Sequence, residues 1–300
     1  MNFYIIGLGQ IGKSILSLIK NKQNSAIYIE DIDGGEFIRG NFEVSAPDMI
    51  FLCVPSTELK SVCARVSQSF KKDSLVVILS KGASETGETP AEVASNILGD
   101  HRVAVLAGPM LGDEILNGKR SYATCGVTYD GAYEEIFDVF VNTNLLLEKS
   151  DDIFGVSAYS VLKNIYTVGY GIVASIEDGD NVRGAYISDA LSEMKYVAER
   201  IYMAKGETFT KKCSIGDMIA TSMHPQSHNF MAGKAIAGMD NEKEIKSEGL
   251  SSISGVMSRV GDMSRNTPIM VHIAEIVAGN KLPESLIDLI GVNSDKNAVR

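Results

Sequence analysis

Phe3-Tyr4-Ile5-Ile6-Gly7-Leu8-Gly9-Gln10-Ile11-Gly12 decides the fold. Four apolar residues run into a glycine turn and on into residues 13–20, where Ile15, Leu16 and Ile19 fall at helical spacing. Strand, glycine turn and helix in that order are the context in which Gly-x-Gly-x-x-Gly binds a dinucleotide: Gly7 permits the turn, Gly9 lets the backbone approach a pyrophosphate, and Gly12 lets helix and strand pack closely. The anion then sits on the helix N-terminus, against Gln10 and Ile11. A second strand, 26–29, ends in Glu30-Asp31, at about the ~20-residue spacing expected of a carboxylate that binds ribose hydroxyls. Such a carboxylate repels a 2′-phosphate, so NAD is favoured with NADP possible, and Arg39 is the one nearby basic residue on the NADP side.

Outward from that turn the same form repeats. Residues 49–54, stopped by Pro55, then 74–79 and 103–107 are apolar runs rather than strict alternations, which implies parallel strands covered on both faces. Residues 59–70 and 90–98 read as crossover helices, the second opening at Thr89-Pro90 with an N-cap and a proline at the first helical position. After about Glu148 strand patterns stop and helical ones dominate, as in 184–204, where Ile187, Ala190, Leu191, Met194, Val197, Ala198 and Ile201 share a face. Further helices start near 216–221 and 268–277, and the tail from Asn293 is polar. The expected architecture is an α/β Rossmann-type doubly wound sheet over 1–148, the dinucleotide-binding domain, and an all-α domain over 149–300 for substrate and catalysis.

Composition excludes several classes of function. Among 300 residues, 28 Lys+Arg stand against 38 Asp+Glu, a formal charge of -10 that offers no basic field to nucleic acid or an anionic membrane. The 4 cysteines, Cys53, Cys63, Cys125 and Cys213, form no Cys-x-x-Cys pair and are too few for a disulfide framework, so they read as reduced and the chain as cytoplasmic. No basic residue precedes the apolar start, as a signal peptide would require. Residues 153–176 are apolar enough to span a bilayer, but Lys163 and Asn164 would lie at mid-depth and three glycines interrupt the run, so a buried helix fits better than membrane insertion.

Catalysis in such an architecture belongs in the cleft between the domains. Ser80-Lys81-Gly82 follows a strand at its carboxyl end, and Gly108-Pro109-Met110 closes another just before Gly112-Asp113-Glu114. Lys163-Asn164 is the most informative pair. An amine among Val161, Leu162, Ile165 and Val168 loses hydration, and burial or a second cation such as Lys81 lowers its pKa toward the range useful for proton transfer. Asp217 and Thr221 in the 216–221 segment, followed by His224-Pro225-Gln226-Ser227-His228-Asn229, gather donors around one carboxylate. A metal site of His224, His228 and Asp217 is the rival reading. Pro225 argues against one helix carrying both histidines, so no metal is expected. His101 and His272 have no evident partners, and no nucleophile elbow occurs.

These segments, in order along nearly the whole chain, resemble the NAD-dependent sn-glycerol-3-phosphate dehydrogenase family. Leu162-Lys163-Asn164 leading to Gly171-Ile172, then Gly179-Asp180-Asn181-Val182-Arg183-Gly184-Ala185 and Leu191-Ser192-Glu193-Met194, resembles its central helical block. Gly216-Asp217-Met218-Ile219-Ala220-Thr221 is similar to its Gly-Asp-Leu-x-x-Thr, Ser80-Lys81-Gly82 to its Thr-Lys-Gly, Gly108-Pro109 with Glu114 to its Gly-Pro-x-x-Ala-x-Glu, and Glu248-Gly249 to its late Glu-Gly.

The resemblance implies a homodimeric oxidoreductase that reversibly reduces dihydroxyacetone phosphate to glycerol 3-phosphate with NAD, and so a place in carbohydrate and glycerophospholipid metabolism. It implies Lys163 as proton donor and acceptor, Lys81 orienting the substrate oxygen and reaching the cofactor, and Asp217 completing the catalytic set. Asn164, Gly108, Thr221, Ser227, His228 and Asn229 would line the substrate. Gly7, Gly9, Gln10, Ile11, Gly12, Glu30, Asp31, Pro55, Gly112 and Glu248 would line the cofactor. The departures are specific. His228 stands where the family has Arg, Phe230 and Met231 where basic residues are common, Met110 where a small hydroxyl residue is usual, and Ile11 in place of an aromatic, while the stretch 31–47 is short by a helix and a loop. An arginine fork holds phosphate bidentately at any pH, whereas histidine is mostly neutral at pH 7. Lys234 is the nearest basic residue that could compensate. A related dehydrogenase with a different hydroxy or keto substrate, and a dinucleotide-binding sensor, are the alternatives.

Overall fold

The computed structural model describes residues 1–99, 102–129, 131–238 and 245–291; His101 and the polar tail lie outside them. The apolar runs form strands β1 (Asn2–Ile6), β2 (Ala26–Asp31), β3 (Gly34–Arg39), β4 (Met49–Leu52), β5 (Leu75–Ile78), β6 (Arg102–Ala107), β7 (Ser121–Val127) and β8 (Leu145–Ser150), in one sheet of order β3-β2-β1-β4-β5-β6-β7-β8. Helices α1 (Gln10–Ile19), α2 (Ser56–Ser69), α3 (Pro90–Leu98), α4 (Gly112–Leu116) and α5 (Ala132–Phe140) alternate with them.

Both faces of the strands are covered, which is why they read as continuous apolar runs. Phe3 and Ile5 of β1 meet Ile15 and Ile19 of α1 on one face, while Tyr4 and Ile6 meet Leu59, Cys63 and Val66 of α2 on the other. Each such side chain removed from water contributes roughly 1.5–3 kcal/mol. The N-terminus of α3 carries the full reciprocal cap: the Thr89 side chain accepts from Glu92 N and the Glu92 carboxylate accepts from Thr89 N.

The sheet is parallel only through β1, β2, β4, β5 and β6. Its two ends run the other way, β3 antiparallel to β2, and β7 antiparallel to β6 with β8 parallel to β7. These ends are not evident from the sequence. Every residue of β3 is exposed, so the short stretch after Asp31 holds a hairpin strand with no apolar run to announce it. Glu148 and Lys149 interrupt β8 in the same way. Helix α1 starts at Gln10, ahead of the stretch 13–20, because Gly9 is its N-cap.

The chain leaves the sheet at Ser150, and Asp152 caps the next helix by accepting from Gly155 N at 2.9 Å. That helix, α6 (Ile153–Ile176), is the axis of an all-helical half made with α7 (Asp180–Ile201), α8 (Asp217–Met223), α9 (His228–Ile236), α10 (Glu248–Val260) and α11 (Pro268–Val277). Helices α6 and α9 cross with backbones nearly touching. A methyl on Gly171 would overlap the carbonyl of Phe230, and one on Gly233 that of Val168. Among the described residues no helix is long and apolar enough to cross a membrane. All four cysteines are buried and free.

Candidate active site

Strand β1 leads away to β2 on one side and is flanked by β4 on the other, so the loops leaving their carboxyl ends diverge and open a crevice at the switch point. The glycine turn lines it. Gly7 adopts φ +92°, and its N–H donates to the Glu30 carbonyl at 2.8 Å. A methyl on Gly12 would overlap the Gly7 carbonyl, so α1 sits hard against the turn. At Gly9 a methyl would meet nothing within 4 Å, and no side chain caps α1, which leaves its first amides open to an anion beside Gln10 and Ile11. A pyrophosphate fits that cradle. Gly112 packs behind it, its carbonyl accepting from Ser14 Oγ at 3.1 Å, and so supports α1 from the side away from the open face.

The acidic end of β2 divides its two carboxylates. Glu30 pairs with Arg65 of α2 at 2.6 Å and accepts from the Tyr4 hydroxyl, whereas Asp31 is exposed. Arg39 is committed elsewhere, donating to the carbonyls of Lys20 and Lys22 at 3.3 and 3.0 Å. At the other lip of the crevice Pro55 is the N-cap of α2, and Ser56 donates to Glu248 through its N–H at 3.2 Å and through its hydroxyl. A methyl on Gly82 would overlap Glu248 and Ser56, so Ser56, Gly82 and Glu248 meet where the two halves of the chain join.

Deeper in that junction lie the lysines. Lys163, near the middle of α6, is 4% exposed and donates to Asp217 Oδ1 at 3.2 Å and to Thr221 Oγ1 at 2.8 Å. Lys81, from the loop after β5, donates to Asp217 Oδ2 at 2.8 Å and to the Gly108 carbonyl at 2.9 Å. One carboxylate thus separates two ammonium groups, and Thr221, one turn on in α8, returns its hydroxyl to the Asp217 carbonyl at 2.6 Å. Burial lowers the Lys163 pKa; Asp217 pulls it up and Lys81 pushes it down, to a net value of about 8. For Asp217 burial opposes ionisation, but the two cations outweigh it and hold the carboxyl below its ordinary value. Lys81 keeps the more open face of the pair, at 18% side-chain exposure against 5%.

Asn164 ties this centre to the rest of the cleft. Its amide donates to the Lys81 carbonyl at 2.7 Å, and its Oδ1 accepts from Asn229 Nδ2 at 2.8 Å. Asn229 Oδ1 accepts in turn from Ser247 Oγ at 2.8 Å and Gly249 N at 2.9 Å. Ser227 caps α9, while His228, the first residue of that helix, is exposed. Phe230 packs on Tyr170, and Lys234 belongs to the last turn of α9, the end away from His228. Glu114 pairs with Lys119 on the surface at 3.1 Å. His224 is the C-cap just after α8 and faces Asp113 at 3.9 Å, whereas His228 opens α9, so no one helix carries both histidines. His272 has partners after all, the Pro268 carbonyl at 3.2 Å and Lys281 at 2.9 Å. Among the described residues no three His, Cys, Asp or Glu side chains are arranged to hold a metal.

Ser56, Arg65, Ser247 and Ser252, whose hydroxyl accepts from Ala83 N at 2.8 Å, do not stand out in the sequence. Ser56 alone carries a signal, as the residue where a helix starts just after a buried strand.

The model of the NAD-dependent glycerol-3-phosphate dehydrogenase N-terminus matches residues 13–132, and that of the C-terminus of the same enzymes matches 152–288. The chain is 25% identical over 309 residues to a glycerol-3-phosphate dehydrogenase, NAD(P)+, of Teredinibacter turnerae, covering 92% of this chain and 90% of the relative. It is 28% identical over 255 residues to a second such protein, from Salinibacter ruber, covering 82% and 74%. Among solved structures, a glycerol-3-phosphate dehydrogenase of Coxiella burnetii superposes with a TM-score of 0.82 at 21% identity, over 96% of this chain and 97% of that one. A dimeric ketopantoate reductase of Staphylococcus aureus superposes less well, with a TM-score of 0.55 at 12% identity over 95% and 100%.

Proposed function

From the premise that the chain belongs to the NAD-dependent glycerol-3-phosphate dehydrogenase family, we propose that it interconverts dihydroxyacetone phosphate and sn-glycerol 3-phosphate, with Lys163 moving the proton. The observation that carries this reading is the buried sequence of ammonium, carboxylate and ammonium formed by Lys163, Asp217 and Lys81.

A ketone becoming an alkoxide needs positive charge and a proton at its oxygen, in a place that excludes water. Lys163 supplies both. Its net pKa of about 8 lies close enough to neutrality for it to give a proton in reduction and recover it in oxidation. Asp217 holds the charged form of Lys163 in place despite burial, and Thr221 fixes the direction of a second N–H of the same ammonium. Lys81, more open and tethered to the Gly108 carbonyl, orients the same oxygen from the other side of Asp217. Asn164 fixes the Lys81 backbone and so the spacing of the two cations.

A bound nicotinamide dinucleotide supplies hydride chemistry. Gly7, Gly9, Gln10, Ile11 and Gly12 would hold its pyrophosphate, with Gly112 bracing α1 and with Pro55, Lys81 and Glu248 flanking the inner end. At the ribose Asp31 is the free carboxylate, Glu30 being engaged with Arg65. This exposed charge favours NAD; the relatives' name allows both forms. Ser227, His228 and Asn229 would face the phosphate end. We further assign residues 1–148 to cofactor binding and 149–300 to substrate and catalysis, and read the enzyme as a cytoplasmic homodimer, for which the four reduced thiols and the dimeric structural neighbour are the supports.

A second reading, a hydroxy or keto substrate without a phosphate, is favoured by one observation: His228 is exposed and Asn229 is already bonded on both sides of its amide. NADH absorbance at 340 nm separates the two. Oxidation with dihydroxyacetone phosphate by the wild type, lost in Lys163→Met while NADH fluorescence enhancement on binding persists, is the expected result. NADH binding with no turnover of the phosphate ester would contradict it.

A further inference from the structure

The segment that delivers Asp217 is itself unusual. Residues Lys212–Gly216 form a π-turn running directly into α8, whose first residue is Asp217. A π-turn is wider than an α-turn and less favourable in isolation, and such turns concentrate at functional sites. This one is held from outside. Glu148, on the edge strand β8, accepts through Oε1 from Lys212 N at 2.7 Å and from Thr124 Oγ1 at 2.7 Å, and through Oε2 from Lys212 Nζ at 2.7 Å. Thr124 of β7 then accepts from Cys213 N at 3.0 Å. The first two amides of the turn are thus tied to the sheet by two side chains, and Cys213 and Ser214 are fully buried behind them.

We propose that Glu148 is the positioning residue for Asp217: from the last strand of the sheet it pins the π-turn that sets the carboxylate between Lys163 and Lys81. The pinned amide of Lys212 opens the turn and Asp217 follows its last residue, so a shift at one end is passed to the other. Burial raises the Glu148 carboxyl, but its bonds to Lys212 and Thr124 outweigh that and keep it ionised, as an acceptor of three donors must be. Freed from the pin, Asp217 withdraws from Lys163, and the interaction that opposes burial there weakens. Lys163 then loses its proton at lower pH. The inference rests on the catalytic reading above, yet its geometry can be tested apart from it.

The test is competitive acetylation of Lys163 across pH, run beside steady-state NADH oxidation with dihydroxyacetone phosphate, on wild type, Glu148→Ala, Glu148→Gln and Thr124→Val. In Glu148→Ala the Lys163 titration should move down by about one pH unit, and kcat should fall about tenfold with KM changed less than about twofold, the pattern of a misplaced catalytic group. Thr124→Val should move both in the same direction by less. Glu148→Gln, which keeps an acceptor for Lys212 N, should stay within about threefold of wild type. A Lys163 titration that coincides with wild type in both Glu148→Ala and Thr124→Val overturns the proposal, whatever happens to yield or thermal stability. If Glu148→Ala does not fold, Thr124→Val decides. Absence of NADH oxidation in the wild type would sink the catalytic reading instead, and the titration would still decide whether Glu148 holds Asp217 against Lys163.

Discussion

At Lys163 the ammonium is nearly closed off from water, faces Asp217 and Thr221, and sits in a centre whose every member is bonded to another element of the fold; at His228, at the start of α9, an imidazole stands exposed. The contrast separates two tasks. The proton transfer proposed for Lys163 depends on a pKa set by its surroundings, so the whole surround must be kept. Recognition of a remote anion needs only attraction at a distance from the reacting carbon, and it survives weakening at the cost of affinity.

The sharpest way to break this comparison is at the first end. Lys163→Met should lower kcat by about 10³-fold or more, within the range of a lost general acid, with NADH affinity changed little; stopped-flow oxidation and a fluorescence titration read the two quantities. Asp217→Asn should cost about 10²-fold, because it leaves two facing ammonium groups with no charge between them and removes the attraction that pulls the Lys163 pKa up. At the second end, His228→Arg should act on KM rather than kcat, lowering KM for dihydroxyacetone phosphate about tenfold through a charge-assisted fork. An effect of His228→Arg on kcat comparable to that of Asp217→Asn would erase the distinction between the ends.

The pH dependence carries a smaller effect with a definite sign. The role proposed for Lys163 requires it protonated for reduction, so that rate should fall as pH rises through about 8, while oxidation, which would use the neutral amine, should rise over the same interval and level off. Smaller still is a stability effect away from both ends. Glu193 of α7 accepts from Ile269 N at 2.9 Å and Met270 N at 2.7 Å and from the Tyr166 hydroxyl at 3.1 Å. Burial raises its pKa from 4.5 to about 7 against the pull of those donors. A carboxyl raised in the folded state contributes its full stability below the unfolded pKa and loses it as pH rises through the folded one. Stability should therefore decline between about pH 4.5 and 7, by on the order of 3 kcal/mol, and Glu193→Gln should flatten that decline in urea melts.

How far the sequence could be read follows the same division. The glycine turn, the five parallel strands and the long apolar α6 were legible because burial on all sides leaves runs that only a covered strand or a core helix explains. β3 and β8 were not, because an exposed edge strand carries charges and polar residues that look like loop. Lys81, Lys163, Asn164 and Asp217 stand in three separate segments, and the sequence suggests Lys81 by its place after a strand, Lys163 and Asn164 by theirs within an apolar helix, and Asp217 as the one carboxylate among the donors of its segment; that both lysines share that carboxylate is a property of the packing. Glu30 and Glu248 were legible as acids near a cofactor, but not as partners of Arg65 and Ser56, since nothing local links residues 35 and 192 positions apart.

The proposed reaction requires a site that reduces a phosphorylated ketone in spite of His228. The direct measure is kcat/KM of the wild type for dihydroxyacetone phosphate against unphosphorylated dihydroxyacetone, with NADH, at pH 7. A preference for the phosphate ester of about 10²-fold or more is the predicted result, since a charged group bound by a histidine and a helix start still contributes a few kcal/mol. Equal values for the two ketones, or turnover of neither, would contradict it.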